Sequence, residues 1–351
     1  MSAYALCWPE PALPLSALPG WLQEDHLAAM QAAAAACRVS RDPSMAAPCR
    51  DLRAAPPKDD AAARRFLETR FRARPLAGDG LLTAYFAPEY QARDTPDATF
   101  TAPVRPRPGA LDALIAQTAS QGPSADAAPP GPAADPGAAD VDLNPDRAAI
   151  QAMPADDALA WMRPEELFFL QIQGSGVLTF PDGRRLKAVF AASNGKPFVG
   201  LARIMRDEGL IDGAHTSGEA ILAWLADHRG PEAEALMDRD PRYVFFTLRP
   251  DDGQSPAGAA GIPLPPGRAL AIDPAWHAMG ELFWIDADAP GLAGGFPAYR
   301  RLAAGLDTGG AIKGDIRADL YTGVGEAAGR EAGRVRHTLR LYWLEPVGEG
   351  P

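Results

Sequence analysis

Nowhere in this chain of 351 residues do apolar side chains run on for the roughly eighteen positions that a bilayer-spanning helix needs. Positive charge is also short. Thirty-four lysines and arginines face 45 acidic residues, a formal net charge of -11, which opposes long-range attraction to nucleic acid or to an anionic membrane face. No nucleic-acid partner is expected. Three cysteines and five scattered histidines lack the paired spacing of a zinc site, so neither a metal nor a cofactor is predicted. The Gly-x-Ser-x-Gly elbow of one common serine-hydrolase pattern is missing, and there is no internal repeat. The opening Met1 to Cys7 lacks the basic start and long apolar core of an export leader, and no lipid-attachment motif precedes Cys7.

What is abundant points to short strands. Thirty-six prolines and 34 glycines, with 47% hydrophobic residues, predict a globular, mainly β chain with some helices and many turns. The length suits one large domain or two ordinary ones. Cys37 and Cys49 flank a proline-containing loop, which suits a disulfide in an oxidising compartment and equally two buried, reduced thiols.

Leu22, Leu27, Met30 and Ala34 recur at helical spacing behind Glu24 and Asp25, predicting helix within Leu18 to Arg53, and a second helix is expected over Asp59 to Phe71. Leu81 to Phe86 is a strand ended by Pro88. Between Pro108 and Asp146 the composition turns to Ala, Pro, Asp and Gly, so residues 118–142 are expected to form a mobile insertion. Leu167 to Phe180 shows near-strand alternation, and Pro181-Asp182-Gly183 turns it into Arg185 to Phe190 as a hairpin. Helices are expected over Val199 to Glu208, closed by Gly209, and over Gly218 to Asp227 behind Thr216-Ser217. A strand at Tyr243 to Leu248 leads towards Ala269-Leu270-Ala271-Ile272-Asp273-Pro274, after which short strands and glycine turns alternate to Leu344, as in a small barrel.

Asp273, Asp307 and Asp319 stand at strand ends in this glycine-rich region, with Lys313 and Arg317 at hand to steady an ionised partner. On composition alone the commoner reading of such residues is turn aspartates and surface charge. Asp307-Thr308-Gly309 matches the aspartic-protease tripeptide, but that chemistry needs two such aspartates, which only a homodimer would supply. Gly323-Val324-Gly325-Glu326-Ala327-Ala328 fits a dinucleotide fingerprint without the rest of that domain, and reads better as a turn entering a short helix. Gln171-Ile172-Gln173-Gly174-Ser175-Gly176 would place two amides on one strand face before a glycine-flanked hydroxyl, a set suited to sugar hydroxyls or to an ordinary polar face. Thr83, Tyr85 and Phe86 offer a hydroxyl and aromatic faces, though aromatics in strands are more often core.

Glu166 to Gly176, Asn194-Gly195 with Pro197, Tyr243 to Phe246, Gly261 to Leu264 through Asp273-Pro274, and Asp307-Thr-Gly-Gly-Ala-Ile-Lys-Gly314 through Asp319 occur in this order. Together they resemble the membrane-bound lytic murein transglycosylase A family, with its C-terminal three-aspartate domain. The resemblance implies a double-psi β-barrel made from residues 1–86 and 243–351, with a smaller β-rich domain, 87–242, inserted in it and a glycan groove between the two. It implies that Asp319 is the catalytic aspartate, that Asp307 and Asp273 are the other signature acids, and that Thr83, Gln171 and Gln173 line the substrate groove, to which the residue types add Tyr85 and Ser175 as candidate substrate-binding side chains. The implied reaction cleaves the bond between N-acetylmuramic acid and N-acetylglucosamine in peptidoglycan and leaves a 1,6-anhydromuramoyl end, with no cofactor. A monomer in the periplasm or on the periplasmic face of the outer membrane, in contact with cell-wall assembly or outer-membrane partners, is what the family leads one to expect. Two other readings remain: a non-catalytic glycan-binding barrel, and a homodimeric aspartic protease.

Overall fold

The structure, a computed structural model, describes residues 11–109, 145–212, 217–295 and 298–347. The insertion expected at 118–142 lies outside these residues. In chain order the strands are β1 (Leu13–Pro14), β2 (Phe71–Pro75), β3 (Gly80–Ala87), β4 (Glu89–Gln91), β5 (Ala102–Val104), β6 (Ala160–Met162) and β7 (Gly176–Thr179). They continue with β8 (Arg185–Ser193), β9 (Val244–Pro250), β10 (Ala269–Ala271), β11 (Leu282–Ala287), β12 (Tyr299–Asp307), β13 (Arg317–Val324) and β14 (Arg336–Pro346). The chain divides into two compact units, one of Met1–Tyr85, Ala257–Gly323 and Arg334–Pro351, the other of Phe86–Pro256 and Val324–Gly333.

In the first unit, β3, β13, β10, β12, β11 and β14 follow one another around a closed six-stranded barrel, the double-psi β-barrel expected from the sequence. Closure falls to β14. Its first part pairs with β3, from Arg336 opposite Thr83 to Leu339 opposite Gly80. Its last part pairs with β2, from Tyr342 opposite Pro75 to Pro346 opposite Phe71. Gly80 is needed at this seam, because a Cβ there would stand 1.7 Å from the Ile316 carbonyl oxygen.

Side chains alternate along each strand, and the alternation fills the barrel. Leu82, Leu270, Ile272, Phe283, Ile285, Ala318, Leu320, Leu339 and Leu341 meet in one buried cluster, each large aliphatic or aromatic member contributing about 1.5–3 kcal/mol by leaving water. The helix His26–Val39 packs against β12, capped by the Asp25 carboxylate on Ala28 N, and it comes close because Ala29, Ala32, Ala33 and Ala36 line its buried side. Just before it, buried Glu24 pairs with Arg268 at 2.8 Å and accepts from Leu302 N at 2.8 Å, which fixes the helix start to the barrel.

Cys37 and Cys49 are joined as a disulfide, resolving the alternative that the spacing left open. It ties the helix His26–Val39 to the helix Ala46–Ala54 across a separation of 12 residues. A bridge over so short a loop stabilises by about 2–3 kcal/mol, mainly through the unfolded chain. Replacing both cysteines by alanine should lower the urea midpoint accordingly, and the parent protein should shift equally in reductant; an unmoved midpoint in both would show that no such link exists.

The second unit carries a four-stranded sheet, β4-β7-β8-β9, and a two-stranded one, β5-β6. One expectation is corrected here. Pro164–Gln173 is a helix rather than the start of a strand: Pro164 opens it, Glu165 and Glu166 sit in its first turn, and Gly174 closes it at φ 84°. The hairpin survives with a shorter first strand, β7, paired with β8 from Gly176 opposite Ala188 to Thr179 opposite Arg185. The second unit extends along the chain past residue 242. Strand β9 pairs along β8 from Ser193 opposite Val244 to Leu186 opposite Pro250, so this unit runs on to Pro256 and also takes in the short helix Gly325–Ala332. That helix is what the Gly323-Val324-Gly325 run leads into.

Candidate active site

Strand register brings the acids together. Ala271 on β10 has Asp307 as its partner on β12, in a parallel pair, and Asp319 as its partner on β13, in an antiparallel pair. Asp273 lies two residues beyond, in the turn that leaves β10. On β13 the core takes Ala318 and Leu320, so Arg317 and Asp319 face the other way. On β3 the core takes Leu82, and Thr83 and Tyr85 differ from each other by one full period.

Each acid has a distinct set of partners. Asp307 accepts from Tyr85 Oη at 2.7 Å on one oxygen, and from the backbone N–H groups of Ala259 and Thr308, each at 2.9 Å, on the other. Asp273, 4% exposed, accepts from Gly314 N at 2.8 Å and Ala275 N at 3.2 Å, with Lys313 Nζ 3.9 Å away. Asp319 receives the Thr83 hydroxyl on Oδ1. Its Oδ2 has no hydrogen bond among the described residues, alone among the six carboxylate oxygens of the three acids. Thr83 Oγ1 accepts from Arg317 Nη2 at 2.8 Å, which turns the hydroxyl hydrogen towards Asp319.

Burial pushes the Asp319 carboxyl above the ordinary carboxylate value, the Thr83 hydrogen bond and the Arg317 charge pull it back, and the Asp307 charge raises it again. Asp307 is raised by burial too, against its bonds to Tyr85, Ala259 and Thr308. Tyr85 is driven well above the usual phenol value by burial and by the Asp307 charge, so it stays a neutral donor. Burial lowers the Arg317 guanidinium, an effect opposed by Asp319 and reinforced by Arg336.

The polar candidates of the second unit are occupied by its own fold. Gln171 is 4% exposed on the helix Pro164–Gln173, where its amide oxygen accepts from Arg147 Nη1 and its nitrogen donates to Val244 O at 3.2 Å. Gln173 Oε1 accepts from Phe86 N at 3.2 Å, and Ser175 Oγ accepts from Phe190 N at 3.2 Å. The two glutamines therefore do not share a strand face. Sequence reasoning overlooked His277 and Glu281, whose only local signal is their four-residue spacing. Among the described residues, no group of three His, Cys, Asp or Glu side chains is placed to hold a metal.

The barrel with its three aspartates is a 3D domain, whose family model matches residues 268–345; residues 81–247 match the MltA specific insert domain. A membrane-bound lytic murein transglycosylase A of Vibrio cholerae is 30% identical over 277 residues, 76% of this chain and 66% of that protein. The corresponding protein of Escherichia coli K12 is 27% identical over 274 residues, again covering 66% of the relative, so the match spans just under two thirds of these curated relatives. The crystal structure of a membrane-bound lytic murein transglycosylase from Agrobacterium tumefaciens is 30% identical with a TM-score of 0.79, covering 95% of this chain and 97% of the other. That of MltA from Neisseria gonorrhoeae is 25% identical with a TM-score of 0.75, covering 97% and 93%. The chain belongs to the membrane-bound lytic murein transglycosylase A family.

Proposed function

We propose that this chain is a peptidoglycan lytic transglycosylase, cleaving the β-1,4 bond between N-acetylmuramic acid and N-acetylglucosamine with Asp319 as its single acid/base. The observation that carries the reading is Asp319 Oδ2: of the three acids, only Asp319 keeps an oxygen free of internal hydrogen bonds among the described residues. Burial raises its pKa above the ordinary carboxylate value, the direction a general acid requires.

Most glycosidases need a second carboxylate to attack or to activate water. Asp307 and Asp273 are poorly suited to that, since both oxygens of each already accept hydrogen bonds from the fold. The muramic acid C6 hydroxyl can serve instead, with the entropic advantage of an intramolecular nucleophile. Asp319 gives its proton to the departing O4 as the C1–O4 bond breaks. The C6 oxygen then bonds to C1 while its proton passes to the Asp319 carboxylate, which restores the acid. No water is consumed. The same engagement of Asp307 argues against a proton-sharing protease dyad, and the disulfide suits the oxidising periplasm.

The product tests this reading. Digested sacculi should carry 1,6-anhydromuramoyl ends, lighter by one water than hydrolysed ends. Reducing ends as the main product by mass spectrometry would instead make the protein a hydrolase and call for a second carboxylate.

A further inference from the structure

We propose that His277, held as an imidazolium, is a positioning residue that clamps the loop between β12 and β13 to the turn carrying Asp273 and so sets the geometry of Asp319. His277 is 9% exposed, and its backbone N donates to Asp273 O at 3.0 Å. Nε2 lies 2.7 Å from Asp315 O, and Nδ1 lies 3.1 Å from Glu281 Oε2. A carbonyl and a carboxylate only accept hydrogen bonds. Both contacts are therefore satisfied only when both ring nitrogens carry hydrogen; a neutral ring would aim one lone pair at an oxygen.

The surroundings favour that charge. Phe283 meets the ring edge to face at 4.9 Å. The ionisable groups acting on it are Glu281 and Asp315, whose carboxylate accepts from Ile316 N, while Asp273, four residues before it, has Lys313 Nζ 3.9 Å away. Burial alone would lower the pKa of His277, but the bonds to Glu281 and to the Asp315 carbonyl, with both acidic charges, hold it above the ordinary histidine value.

The consequence runs along the chain. Asp273 pins Gly314 N and His277 pins Asp315 O, so one turn grips two successive residues of the loop. Two residues later Arg317 begins β13 and donates to Thr83, which donates to Asp319. Loss of the clamp frees the approach to that strand.

The inference rests on Asp319 as the acid, but half of its test reads no turnover. In the full chain labelled with ¹⁵N-histidine, the His277 signals, identified by their loss in His277→Gln, should keep two protonated nitrogens to a higher pH than an ordinary histidine does, and Glu281→Gln should lower that pH. The stability difference between parent and His277→Gln should be fully present below the ordinary histidine pKa and vanish as pH rises through the raised folded value. On soluble glycan oligomers, His277→Gln should lose about tenfold in kcat, since small misplacements of a reacting group are costly. KM should change by less than about twofold, and the alkaline limb should fall with one ionisation instead of two. A ring in the parent protein that loses its proton at or below the ordinary histidine value overturns the proposal, as does a parent-like kcat with an unaltered alkaline limb. If His277→Gln fails to fold, the signals are identified instead by their response in Glu281→Gln, and the titrations of the parent and of that variant decide. Hydrolytic products beside an intact imidazolium would sink the transglycosylase reading and leave the clamp standing.

Discussion

Asp319→Asn should retain the fold and lose at least about a thousandfold in turnover, because acid/base assistance is worth about 10²–10⁴ and the proposed mechanism uses this residue in both halves of the reaction. The amide can still accept the Thr83 hydroxyl, but it has no proton to give and none to regain. Stability should move the other way. The folded state holds the Asp319 proton more tightly than the unfolded chain, so the carboxyl's favourable contribution is complete below the ordinary carboxylate pKa and is lost as pH rises through the raised folded value. Asparagine escapes that loss. The variant should melt no lower than the parent at neutral pH, and the gap should close in acid. Muropeptide release near the parental rate would remove Asp319 from the mechanism, whereas inactivity with a lowered melting temperature would point to simple misfolding.

The second large effect belongs to Asp307. Alanine there strips the partner from a buried phenol and from two backbone N–H groups at once, and about 1–3 kcal/mol attends each buried polar group left unsatisfied. Because the two amides can partly recover water, Asp307→Ala should cost about 3–5 kcal/mol in urea unfolding. Asp307→Asn, which keeps an acceptor for the amides and lets the Tyr85 hydroxyl turn, should cost less than half as much. Equal losses in the two variants would mean that charge, not hydrogen bonding, is what Asp307 contributes.

Local signals made much of the fold legible. Ser217 caps the helix Gly218–Asp227 through Ala220 N, Gly209 ends the preceding helix at φ 72°, and Leu81 to Phe86 lies within β3. The misreading at Pro164–Gln173 has a physical cause. Leu-Phe-Phe-Leu-Gln-Ile is compatible with either period, since Leu167, Phe168 and Leu170 are all buried, and only Pro164, the two glutamates and Gly174 distinguish a helix. The three aspartates could be picked out of the sequence and the family resemblance set Asp319 apart, but the contacts that distinguish them could not be read there. That Asp307 and Asp273 are fully engaged depends on Tyr85, Ala259 and Gly314, and the clamp on Asp315 depends on a residue 38 positions away. Such contacts exist only once the barrel has formed.

The way β14 closes the barrel also dictates an order of assembly. Residues 336–346 must reach back to residues 71–83, the kind of distant pairing that forms slowly, whereas the hairpin of β7 and β8 needs only its own turn. A chain still emerging from synthesis therefore lacks β14, and with it the pairing of Arg336 beside Thr83 that closes the barrel. The proposed acid thus sits in a closed barrel only after residues 336–339 have joined β3.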